Sequence, residues 1–93
     1  MKSENQENSD NKESFSGKDF EQSKLILYND DVNSFDFVIT NLINICKFED
    51  LRAEQLALIA HYTGKSTIKI GEKNTLAALK FQFEEAGLHV EII

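Results

Sequence analysis

Asn29, Asp30 and Asp31 crowd the end of the apolar run "LILY", Asn33 follows, and His61 stands well downstream in "LIAHYTGK". Helix and strand formation do not by themselves account for these side chains. Three chemistries could use them. A metal site would need ligands at a recognisable spacing, but no CxxC, HxxH or HExxH pattern occurs. A hydrolase could pair Asp31 with His61 and take Ser34 or Thr63 as nucleophile, yet no glycine-rich oxyanion loop or nucleophile elbow accompanies them. The third is recognition of an ammonium group, which carries three donors and no acceptor and so needs about three convergent acceptors. An Asn oxygen, an Asp carboxylate and a neutral imidazole nitrogen form such a set.

Plain local readings stand beside this one. Asn29-Asp30-Asp31 can be a turn leading into a helix start. His61 can be a helix-end histidine favoured by the macrodipole.

The elements that must position these groups can be read from periodicity. Lys24–Tyr28, "KLILY", is a short β-prone run ended by the Asn-Asp-Asp turn signal. Asn33 is expected to cap the next helix, with Asp36 at a capping-box-like spacing. In "FDFVITNLINIC", Val38, Leu42 and Ile45 recur on one stripe, with Ile39, Ile43 and Cys46 alongside, which predicts a helix and a core position for Cys46. "KFED" breaks the pattern. A second helix, "LRAEQLALIAHY", should bury Leu56, Ile59 and Ala60 and end at Gly64. "KSTIKIG" alternates as a strand, leaving Lys65 and Lys69 on a solvated basic stripe. Asn74 or Thr75 should open a third helix that buries Leu76, Leu79 and Phe83 and closes at Gly87. "LHVEII" supplies a last strand, with His89 at its surface or edge. The predicted order is β-α-α-β-α-β, an α+β domain with a three-stranded antiparallel sheet and three helices over one face.

Residues 1–23 contain only Met1, Phe15 and Phe20 as large apolar residues, so they read as a disordered extension before a domain at 24–93. No apolar signal-peptide core and no run near the roughly 18–20 residues of a membrane span is present. Cys46 is the single cysteine, which suits a reducing, cytoplasmic setting. The net charge of −6 argues against a nucleic-acid partner and favours a cationic ligand or basic surface. A monomer without a cofactor or metal is the expected state.

"LILYNDDVNSFDFVI" followed by "RAEQLALIAHYTGK" resembles the ClpS family, adaptors that deliver N-degron substrates to an AAA+ unfoldase. The family pattern of a hydrophobic strand, Asn-Asp-Asp, and a Thr-Pro-Met-Glu-Phe-Val-like segment becomes Asn29-Asp30-Asp31 and "NSFDFV" here. Its later Ala-to-His-Gly-Lys segment becomes Ala53, His61, Gly64 and Lys65. The resemblance implies that Asn29, Asp31 and His61 hold a substrate's α-amino group, Asp31 directly or through water, with Asp30 supporting the turn. It implies a side-chain pocket of Asn33, Phe35, Val38, Ala57, Ala60 and Val90, receiving an N-terminal Phe, Tyr, Trp or Leu. It also implies that the extension, with Phe15 and Phe20, engages a Clp unfoldase of the ClpA or ClpC type, and that the protein is no enzyme. His61 must then be neutral, so binding should weaken as the imidazole gains a proton.

Departures from the pattern bear on specificity. The family's Thr is Asn33, its Pro is Ser34, its gating Met is Phe35, and larger residues on the second helix are Ala57 and Ala60. A shifted side-chain preference is the expectation. The alternative function is a small interaction domain that docks on the unfoldase or another partner without using the pocket.

Overall fold

The computed structural model describes residues 22–93; the expected extension, including Phe15 and Phe20, lies outside the described residues as far as residue 21. Six elements follow in the order β1 (Ser23–Tyr28), α1 (Phe35–Cys46), α2 (Asp50–Thr63), β2 (Lys65–Gly71), α3 (Lys73–Glu85) and β3 (Val90–Ile92). The α+β class and the β-α-α-β-α-β order agree with the sequence periodicity. The sheet is antiparallel with strand order β2-β1-β3, so β1 is central.

Alternation along β1 sends Leu25 and Leu27 to the helical side, where they meet Ile68 of β2 and Val90 of β3. Leu42, Leu56, Leu76 and Phe83 close on them from the three helices. Each fully buried side chain of this kind contributes about 1.5–3 kcal/mol. Ile26 faces the other way, opposite Thr67 and Glu91.

One irregularity in β2 overturns the simple Lys–Ile alternation. Leu25 pairs with Lys69 while Ile26 pairs with Thr67, so Ile68 is the extra residue of a bulge. Ile68 stays in the core, but Ile70 is turned out opposite Lys24 and is 56% exposed. Lys65 and Lys69 therefore do not share a stripe. Lys65 lies opposite Tyr28 on the open face, and Lys69 holds its Nζ 5.8 Å from the Phe48 ring centroid on the helical side.

Helix ends also depart from expectation. Ser34, not Asn33, caps α1, its Oγ accepting from the Phe37 N–H at 3.0 Å. Lys47 ends α1 in the left-handed region at φ 63°, a stop that the glycine-free "KFED" conceals. Glu72 caps α3 by accepting from the Thr75 N–H, rather than Asn74 or Thr75 opening it. On α2 the buried stripe is Ala53, Leu56, Ala57 and Ala60, the i, i+3, i+4, i+7 face. Ile59 falls on the flank and is 48% exposed. Gly64 ends α2 at φ 99°, donating to the Ala60 carbonyl, as its position predicts.

Candidate functional site

At the C-terminal end of β1, the loop 29–34, the start of α1 and the second half of α2 enclose a cavity of about 150 Å³. Its apolar wall is built from Leu27, Phe35, Val38, Ala57 and Ala60. An apolar cavity of about this size accommodates a benzene ring. Ala57 and Ala60 belong to the buried stripe of α2, so their methyl groups leave the space that larger residues would fill. Val38 and Phe35 reach the same space from the first turn of α1.

The polar part of the lining comes from Asn29, Asp30, Asp31, Asn33 and His61. Two distant segments thus meet at one mouth. Tight local bonding arranges the loop. Asp30 Oδ1 accepts from the backbone N–H groups of Val32 and Asn33 at 2.9 and 2.8 Å. The Asn33 side-chain amide gives one hydrogen to the Asp30 carboxylate, at 3.0 Å from Oδ2, and the other to the Gly87 carbonyl, also at 3.0 Å. The Asn33 backbone donor, helped by the Asn33 side chain and the Val32 N–H, holds the Asp30 carboxyl below its ordinary range against the opposing effect of desolvation. Asp30 therefore braces the turn, and its acceptor capacity is largely occupied.

Asn29, Asp31 and His61 differ from it. They are exposed at the mouth, and among the described residues no group hydrogen-bonds to their side chains. The Asn29 N–H is tied to the Gly64 carbonyl at 3.0 Å, linking the end of β1 to the end of α2. His61 lies in the last turn of α2, where the partial negative charge of the helix end adds to the attraction for a cation. Its ring meets Phe35 edge-on, with centroids 6.2 Å apart and planes at 66°. An acceptor cluster above an apolar cavity can hold an ammonium group and the hydrocarbon side chain attached beside it.

Other expected candidates are placed elsewhere. Val90 is not part of the cavity: it is 1% exposed in the core, opposite Leu27. Leu27 and Tyr28 line the cavity instead, and the inward alternation of "LILY" is the signal that could have found Leu27. Ser34 Oγ serves the α1 cap, and the Thr63 hydroxyl donates to the Ile59 carbonyl at 2.6 Å. His89 is exposed at the sheet edge, as expected, stacked on Tyr28 at 4.8 Å and 3.2 Å from Glu91 Oε2. Cys46 is half-buried and packed against the core, and burial raises its thiol pKa. Among the described residues there is no group of three or more His, Cys, Asp or Glu that could hold a metal ion. No helix among them is long and apolar enough to cross a membrane.

The fold is similar to that of Agrobacterium tumefaciens ClpS2, solved bound to L-phenylalaninamide, with a TM-score of 0.64 and 20% identity over 78% of this chain and 98% of that chain. No curated protein matches the chain. Residues 18–91 match the family model described as ATP-dependent Clp protease adaptor protein ClpS, a span that takes in the Asn-Asp-Asp turn, the cavity and His61. The chain belongs to the ClpS family of Clp protease adaptors.

Proposed function

We propose that the protein is an N-degron adaptor: it binds the first residue of a substrate chain and delivers that chain to an AAA+ Clp unfoldase of the ClpA or ClpC type. The α-amino group is held by Asn29, Asp31 and His61, and the side chain, a Phe, Tyr, Trp or Leu, enters the space between Leu27, Phe35, Val38, Ala57 and Ala60. Asn33 and Asp30 hold the loop. The extension over 1–23, with Phe15 and Phe20, engages the unfoldase.

The observation that carries this reading is the pairing of three outward acceptors, from two separate segments, with an apolar cavity beneath them. A ligand described for a structure of the same fold, L-phenylalaninamide, has the matching chemistry of a free amine beside a benzyl side chain. The energetics fit weak-to-moderate affinity. Burying one large apolar side chain contributes about 1.5–3 kcal/mol. A hydrogen bond to a charged group contributes about 1.5–3 kcal/mol. With two or three such bonds the gross sum is roughly 5–12 kcal/mol before the cost of ordering, against about 8 kcal/mol for micromolar affinity.

The test is a fluorescence-anisotropy titration of a Phe-starting peptide and its N-acetylated twin. Acetylation removes the charge and keeps the ring. Binding of the free amine alone supports the reading. Equal binding of both would sink it in favour of an apolar groove without amine recognition.

A further inference from the structure

Thr63 stands at the corner where α2 turns into β2. Its Oγ1 lies 2.6 Å from the Ile59 carbonyl oxygen, one turn back in the helix. It also lies 2.9 Å from the carbonyl oxygen of Lys65, the first residue of the strand. A threonine bonded to the carbonyl four residues back is common in helices. A second acceptor beyond the helix stop does not follow from that pattern. The hydroxyl carries one proton and shares it between the two carbonyls, so helix end and strand start are drawn together across Gly64.

We infer that Thr63 is a positioning residue for His61: its hydroxyl fixes the last turn of α2 against the sheet and so sets where the imidazole stands relative to Asn29. The inference rests on the amine site proposed above. On the sheet side the corner is already held, because Lys65 pairs with Tyr28 and the Asn29 N–H donates to the Gly64 carbonyl at 3.0 Å. On the helix side stands His61, two residues before Thr63, with no hydrogen bond to its ring among the described residues. The two halves of the amine site therefore meet through this corner. Gly64 alone is a weak hinge for that purpose: at φ 99° it turns the chain, but its single hydrogen atom in place of a side chain leaves the backbone free to flex. The Thr63 hydroxyl bonds both sides of the hinge and removes that freedom.

The experiment titrates L-phenylalaninamide into the wild-type protein, Thr63→Val and Thr63→Ser, and records the imidazole carbon-bound proton signals of each protein without ligand. Thr63→Val keeps the branched shape and loses the donor. Thr63 is exposed, so solvent can replace its bonds and the melting temperature should move by no more than about 3 °C. Affinity should fall about three- to tenfold, part of the worth of one charged hydrogen bond. The His61 signals should shift or broaden while those of His89 stay in place. Thr63→Ser restores the hydroxyl and should recover both the affinity and the His61 signals. Wild-type affinity in Thr63→Val would overturn the proposal. Weaker binding with unmoved His61 signals would overturn it too and leave Thr63 a general structural role, as would a Thr63→Ser variant that fails to recover. If L-phenylalaninamide does not bind the wild-type protein at all, the amine-site reading itself falls, and the positioning role with it.

Discussion

The side-chain amide of Asn33 donates to the backbone carbonyl of Gly87 at 3.0 Å, across 54 positions of the chain. Through its other hydrogen the same amide holds Asp30. One side chain therefore ties the loop that carries the proposed amine acceptors to the turn between α3 and β3.

Replacing Asn33 with Ala removes both bonds and leaves the Ser34 cap in place. The expected loss is about 1–2 kcal/mol of folding stability, from two modest net hydrogen bonds. Affinity for a Phe-starting peptide should fall as well, because Asn29 and Asp31 lose their fixed geometry. Urea denaturation and anisotropy on the same variant measure the two effects. Unchanged values in both would show that the tie contributes nothing.

Asp30 makes this loop sensitive to acid. Its carboxyl pKa is lowered from the ordinary value of 3.8, chiefly by the Asn33 N–H, with the Asn33 side chain and the Val32 N–H adding to the effect. A depressed folded-state pKa means that the stabilisation is complete above 3.8 and is lost as pH falls through the lower folded value. Wild-type stability should consequently fall more steeply than that of Asp30→Asn in this window. Parallel acid denaturation curves for the two proteins would argue against the assignment.

Asp31 should separate function from folding. It is exposed, and among the described residues nothing bonds to its carboxylate. Asp31→Ala should leave the melting temperature within about 2 °C of wild type, as expected for a surface change of a few tenths of a kcal/mol. Free-amine peptide affinity should drop by roughly tenfold or more, the loss of one charged hydrogen bond. Isothermal titration beside a thermal melt tests both halves. An affinity equal to wild type would remove Asp31 from the amine site.

Ser66 lies on the inner face of β2 opposite Leu27, 2% exposed, and among the described residues its Oγ has no hydrogen-bond partner. A buried hydroxyl without a partner costs about 1–3 kcal/mol. Ser66→Ala deletes that hydroxyl and leaves only a small void, so stability should rise by about 1 kcal/mol. Chemical denaturation with an unchanged m-value would register it as a shift in midpoint. A destabilised variant would mean that the hydroxyl is satisfied in solution.

Much of the fold was legible in the residues because it rests on interactions a few positions long. The i, i+4, i+7 stripe of Val38, Leu42 and Ile45 dictates α1. Gly64 dictates the end of α2 through its positive φ, and the alternation in "LILY" dictates which residues of β1 enter the core. The crowding of acceptors at 29–31 likewise announces a specialised turn, and His61 is legible as a helix-end imidazole.

Tertiary structure alone decided how these pieces combine. Asn33 and Ser34 are equally good caps by type, and the carbonyl of Gly87, 54 residues away, draws Asn33 out of that role. Ile70 and Ile59 fit apolar patterns, but the β2 bulge and the choice of an alanine-rich face on α2 turn both outward. Val90 lies near the right end of the sheet, yet its pairing with Leu27 seals it in the core and leaves Leu27 beside the cavity. The cavity itself follows from three-dimensional packing. Ala57 and Ala60 are ordinary core residues along the helix, and they become the wall of a site only because β1, α1 and α2 converge around them. Turns, caps and periodicity are local, and can be read one segment at a time. A cavity is the space that several segments fail to fill together.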